Sequence, residues 1–173
     1  MNKKISLISI SLLMLVMLLP VGLSFASKPE EVILVMFLSA EVTSSKNVGM
    51  NVISERVLDG SFTEGPIVGD ITREIRVVQH TETGKMTVQN TVYVDNAVVN
   101  VDGIEAEGSF VMNVMGMAGN AKWTIISSDL TSDGEQVRLH GQGTAVITYF
   151  GFTTFPTHYD IENTLSGQIN ITP

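Results

Sequence analysis

The chain contains no cysteine. Disulfides, Cys-based zinc sites and cysteine nucleophiles are excluded together, as is a lipoprotein, which needs a cysteine to carry its lipid. Positive charge is also scarce, with 10 Lys and Arg against 18 Asp and Glu. Two of the cations, Lys3 and Lys4, belong to a short basic start, so without residues 1–26 eight cations face eighteen anions and the net charge is about −10. So acidic a body repels nucleic acid and anionic lipid surfaces, and no nucleic-acid partner is expected. Catalytic and metal motifs are missing too. His80, His140 and His158 form no H-x-x-x-H or H-x-H pair, no G-x-S-x-G elbow is present, and "DLTSDGE" from Asp129 to Glu135 lacks the D-x-D-x-D-G spacing of a calcium loop. No cofactor is expected. The carboxylate pairs Glu105/Glu107 and Asp160/Glu162 lie on polar strand faces, where solvation accounts for them.

What is present begins with a leader. Met1-Asn2-Lys3-Lys4 is followed by an apolar run from Ile5 to Phe25 and then by Ala26-Ser27-Lys28-Pro29. This order predicts a secretory signal cut near Ala26–Ser27, after the helix-breaking Pro20 and Gly22. The competing reading is an uncleaved membrane anchor through residues 5–26, long enough to span a bilayer. The expected organisation is a signal or anchor over 1–26 and one domain over 27–173, large enough to bury a core without disulfides. The expected location is exported (extracellular, periplasmic or cell-envelope) or, on the competing reading, membrane-anchored.

The rest of the chain alternates with the period of two that marks strands. From Tyr159 to Thr172 the odd positions carry Tyr159, Ile161, Leu165, Ile169 and Ile171, whereas the even positions are all polar. Similar one-sided patterns run through Ile67–Val77, Met86–Val94, Val137–Tyr149 and around Trp123 and Ile125. Turns are predicted at His80–Lys85, Asp95-Asn96, Asp102-Gly103 and Asp133-Gly134. Glu31 to Thr43 is apolar on both faces, reading as a covered strand or as a helix continuing from the leader. Asn47 to Leu58 loses phase near Ser54, which suggests a bulge. No helical period appears after residue 45. Glycines are spread through the strands, at Gly69, Gly108, Gly116, Gly141, Gly143, Gly151 and Gly167. Repeated interior glycine is what a sheet needs in order to curl shut. The expected fold is all-β, a closed antiparallel β-barrel of about eight strands, with a two-sheet β-sandwich as the alternative.

From Gly108 to Thr144 the order "EGSFVMNVMG", "AKWTIISS", turn, "VRLHGQGT" resembles small β-barrels of the allene oxide cyclase and dirigent type. The likeness rests on a G-x-F strand, a W-x-I strand and an L-x-G-x-G strand, over residues 108–144 alone. It implies an eight-stranded antiparallel barrel with a central apolar cavity. Members of that group include enzymes, proteins that orient reactive intermediates and proteins of unknown role, and no catalytic residue of theirs matches a position in this chain.

Three sets of residues could carry function. Met112, Met115 and Met117 could supply soft sulfur ligands to copper(I), but strand phase puts Met112 on one face and the other two opposite, so convergence would need a bulge at Gly116. The bland reading is core for Met112 and rim or partner contact for the others. Arg73, Asn90 and Asn163 fall in phase with buried faces, with Trp123 and Tyr149 nearby in the pattern. They read either as polar contacts lining a ligand cavity or as strand-end residues reaching water. Phe150, Phe152 and Phe155 crowd the segment 150–158, which reads as a lid, a partner-binding patch or a plug. Asn170-Ile171-Thr172 is a glycosylation sequon, used only where the host modifies exported proteins. The expected function is non-catalytic binding of a small apolar or amphipathic ligand. An envelope or surface interaction protein using the aromatic loop is the second expectation, and a cyclase- or isomerase-like barrel the third. The oligomeric state is not legible.

Overall fold

A computed structural model describes residues 27–150 and 158–173. These form eight strands: β1 (Glu30–Val48), β2 (Asn51–Glu64), β3 (Ile67–His80), β4 (Met86–Val101), β5 (Ile104–Met117), β6 (Asn120–Ser132), β7 (Glu135–Phe150) and β8 (His158–Thr172). Each strand pairs antiparallel with the next, and β1 pairs with β8, so all eight share a single ring and no second sheet forms among the described residues.

Alternation decides which side chains enter the ring. In β8, Ile161, Leu165, Ile169 and Ile171 are buried, and the even-numbered side chains between them lie on the outer face. β1 is apolar on both sides, yet it is neither helical nor covered on both faces. Val32, Leu34, Met36, Leu38 and Ala40 point in, while Ile33 is 60% and Phe37 44% exposed. The phase loss predicted near Ser54 has a different origin: β2 alternates regularly through Ser54, Arg56 and Leu58, and the irregularity is in its partner β1, between Val42 and Ser44. Asp95-Asn96 forms no turn between strands either. It is a bulge inside β4 between Val94 and Ala97, with Asn96 at φ 50° and its amide donating to Asp70 Oδ2 at 2.8 Å. Asp102-Gly103 and Asp133-Gly134 are the expected two-residue turns, both residues of each at positive φ.

The size of the ring follows from its register. The row of paired residues that leaves β1 at Val42 passes Arg56, Ile75, Asn90, Val114, Trp123, Gly143 and Gly167, and regains β1 at Val32, ten residues lower. Such an offset over eight strands tilts them by about 40°, a closure just wide enough for side chains to fill or for one small ligand. The end carrying the β1–β2, β3–β4 and β5–β6 hairpins is called the upper end below. The lower interior is apolar throughout, built from side chains such as Leu34, Ile67, Val99, Phe110 and Leu130, each at most 2% exposed.

Two of the strand glycines, Gly141 and Gly143, share a cause. Gly143 of β7 and Gly167 of β8 pair directly, with Trp123 of β6 on the other side of Gly143. The Trp123 indole lies across β7 and donates from Nε1 to the Ser166 carbonyl at 3.2 Å. A Cβ on Gly143 would stand 2.6 Å from that Nε1, and one on Gly141 would stand 2.9 Å from the indole. The glycines make room for the tryptophan.

Candidate functional site

Among the described residues the buried polar side chains, apart from Ser27 near the N-terminal end of the strands, are Ser54, Arg56, Arg73, Asn90 and Asn163. Arg73, Asn90 and Asn163 each lie at least four residues inside β3, β4 and β8, which removes the strand-end explanation. Along a row of pairs each step to the next strand descends by about 1.25 residue lengths in a ring of this offset. Corrected for that descent, Arg73, Asn90 and Asn163 stand at nearly one level, in the upper half of the ring, with Arg56 and then Ser54 above them.

Contacts join them. In the amide orientation that satisfies its neighbours, Asn163 accepts from the Arg73 guanidinium across the interior and donates to the Glu162 carbonyl at 3.2 Å. Arg56 Nε donates to Ser54 Oγ at 3.1 Å. Ile75 separates Arg56 from Asn90 in a single row. Asn90 differs from the rest: it is 3% exposed, and neither atom of its amide has a hydrogen-bond partner. A buried amide left so costs about 1–3 kcal/mol for each unsatisfied group.

Charge is sorted radially. All eighteen Asp and Glu fall among the described residues and none is buried, whereas Arg56 is 6% and Arg73 0% exposed. The interior is therefore cationic and the outer surface strongly anionic. Burying a guanidinium costs several kcal/mol before its hydrogen bonds are counted, so each arginine depends on the partners that hold it inside the ring.

The other predicted residues distribute as follows. Trp123 is 2% exposed and sits below the polar level, against the glycines. Tyr149 and Phe150 belong to the end of β7, but their side chains, like Phe152 and Phe155 altogether, lie outside the described residues. Met112 is fully buried, while Met115 is 49% and Met117 53% exposed on the opposite face. Pairing of β5 with β4 and β6 runs without a shift through Gly116, so no bulge brings the three sulfurs together. His80 Nδ1 accepts from the Thr83 amide at 3.3 Å, and exposed His140 lies 3.0 Å from Thr172 Oγ1 through Nε2. Among the described residues no group of three His, Asp or Glu could hold a metal ion. Arg56 and Ser54 are the residues that sequence reasoning missed. The signal was there: they stand two and four positions before Leu58, in its phase. Compared with known proteins, the chain matches no family model, no curated protein and no solved structure.

Proposed function

We propose that the chain is an exported β-barrel protein that holds a small amphipathic molecule by an acidic head group, with no chemical step. Residues 1–26 are read as its export signal. The head lies beside Asn90, between Arg56 and the Arg73–Asn163 pair, and the apolar part runs toward the upper end along Leu38, Ile75, Val88 and Ile147. The unpartnered buried amide of Asn90 carries the reading, because it offers a donor and an acceptor that nothing in the chain uses. The cationic interior gives the sign of the head group.

The test is native mass spectrometry of the protein from its own host, joined to a titration followed by Trp123, the single tryptophan. A dodecanoate, a dodecanol and a dodecyltrimethylammonium ion of equal chain length separate the head groups. The expected order is carboxylate first and cation last, with Asn90→Ala weakening the carboxylate at least tenfold. No co-purifying mass and no preference among the three would remove the proposal.

A further inference from the structure

On β5–β8 the carboxylates are confined to the strand ends. On β5 none lies beyond Glu107, on β6 none precedes Asp129, on β7 none follows Glu135, and on β8 none follows Glu162. The outer face of β5–β8 between those ends carries amides, hydroxyls, His140 and the cations Lys122 and Arg138. On a chain this acidic, a neutral-to-positive face is the exception.

That face is also hollowed. A depression of about 700 Å³ at Lys122, Thr124 and Gln142 shares Thr124, Gln142 and Gln168 with one of about 310 Å³. The latter shares Ile125 and His140 with a third of about 530 Å³ that reaches Arg138. Together they make one shallow trough along the β6–β7 seam. Its floor is irregular, because the β6–β7 ladder is interrupted between the pairs Thr124↔Gln142 and Leu130↔Val137. Side chains bridge part of the gap, Ser128 Oγ accepting from the Leu139 amide at 2.9 Å and Thr124 Oγ1 donating to the Gly141 carbonyl at 3.3 Å.

We propose that this trough binds an acidic oligosaccharide, a chain of sugar rings with sparse carboxylates. Sugar hydroxyls both donate and accept, and the exposed amides of Gln142 and Gln168 with half-buried Asn113 do the same in fixed pairs. Ile125, Ile126 and Met115 give the C–H faces of the rings apolar contact. Lys122 and Arg138 stand toward the two ends, about 20 Å apart along the strand direction, suiting charges spaced along a chain. A protein partner fits less well, since among the described residues no exposed aromatic side chain lies on β5–β8 to anchor one. Two fixed cations are too few for the dense phosphates of nucleic acid. Glu31 rims the trough on β1, but Gln168 Nε2 holds it by donating at 2.9 Å.

Calorimetric titration of the folded protein with oligogalacturonate, a maltooligosaccharide and polyglutamate tests this. Oligogalacturonate is expected to bind, at least tenfold tighter than the neutral sugar, and polyglutamate not to bind. Lys122→Glu with Arg138→Glu, and separately Gln142→Ala, are expected to weaken oligogalacturonate tenfold or more with unchanged melting temperature, all three sites being exposed. Equal binding of polyglutamate would reduce the face to bare charge, and equal binding of the neutral sugar would remove the role of the cations. Either overturns the proposal, as does binding that the variants leave untouched. Asn90→Ala serves as the control for the interior site and is expected to leave oligogalacturonate binding intact.

Discussion

Replacing Gly143 by alanine is the sharpest physical test of how the ring is closed. The new methyl group would meet the Ser166 carbonyl oxygen, Trp123 Nε1 at 2.6 Å and Gly167 Cα at 2.7 Å. Two of those atoms are backbone of β8, held in the ladder that pairs Gly143 with Gly167, so they yield only if the ladder deforms. The indole can yield, but only by giving up its hydrogen bond to Ser166. Overpacking of this kind costs about 1–3 kcal/mol and the hydrogen bond about 1 kcal/mol more, together about 2–4 kcal/mol. For a domain of this size that lowers the melting temperature by about 5–15 °C. Thermal unfolding followed by circular dichroism gives the number, and Trp123 emission shows whether the indole has left its seat. Gly119→Ala is the control, since a Cβ there meets nothing within 4 Å, and it is expected to stay within about 0.5 kcal/mol of the parent. A Gly143→Ala protein that melts where the parent does, with the same emission, would refute the argument that the glycines exist to seat the tryptophan.

Asn90→Leu removes two buried polar atoms that lack partners, so it is expected to keep or raise the melting temperature while abolishing dodecanoate binding; a large loss of stability would make Asn90 structural. Asn163→Leu takes an acceptor from the buried Arg73 guanidinium and is expected to cost about 1.5–3 kcal/mol in denaturant titration; a neutral result would mean that the pair contributes little. Met112→Ala is expected to cost about 2–5 kcal/mol because it empties core volume, whereas Met115→Ala and Met117→Ala, both exposed, stay within about 0.5 kcal/mol. Equal effects at the three methionines would contradict the split across the strand.

Strand alternation made much of the architecture readable. β8 and β3 could be assigned face by face because every second residue from Ile161, and from Ile67 as far as Val77, is apolar or glycine, apart from Asn163 and Arg73. Those two exceptions drew notice for the same reason: a polar side chain in phase with a buried face contradicts its own strand. Arg56 escaped because polar Ser54, following Val48, Met50 and Val52, read as a loss of phase, whereas Ser54, Arg56 and Leu58 continue the same alternation into the ring. The interior glycines were legible as a need for curvature, but not as a seat for Trp123. That contact joins β6 to β7 and β8 through a register that local periodicity does not contain. The Asp95-Asn96 bulge looked like a turn because the same left-handed residue serves both, and only the continuing ladder of β4 separates them. Radial sorting of charge became visible once the two arginines were placed.

The closing contact between β1 and β8 has a consequence for the order of events during synthesis. Every other pairing joins strands adjacent in the chain, and each can zip locally as it emerges, but β1 and β8 are partners separated by almost the whole domain. Until β8 arrives, β1 keeps an open edge flanked by exposed Ile33 and Phe37, a template for mispairing. Arg73 waits as well, because Asn163 comes on that last strand. Seven staves can therefore assemble early and cheaply, but the slow, high-contact-order step is the final one, and it encloses the arginine and closes the seam together. A chain released before residue 158 would carry the hazard without the closure, which makes the last strand the point at which synthesis and folding must be kept in step.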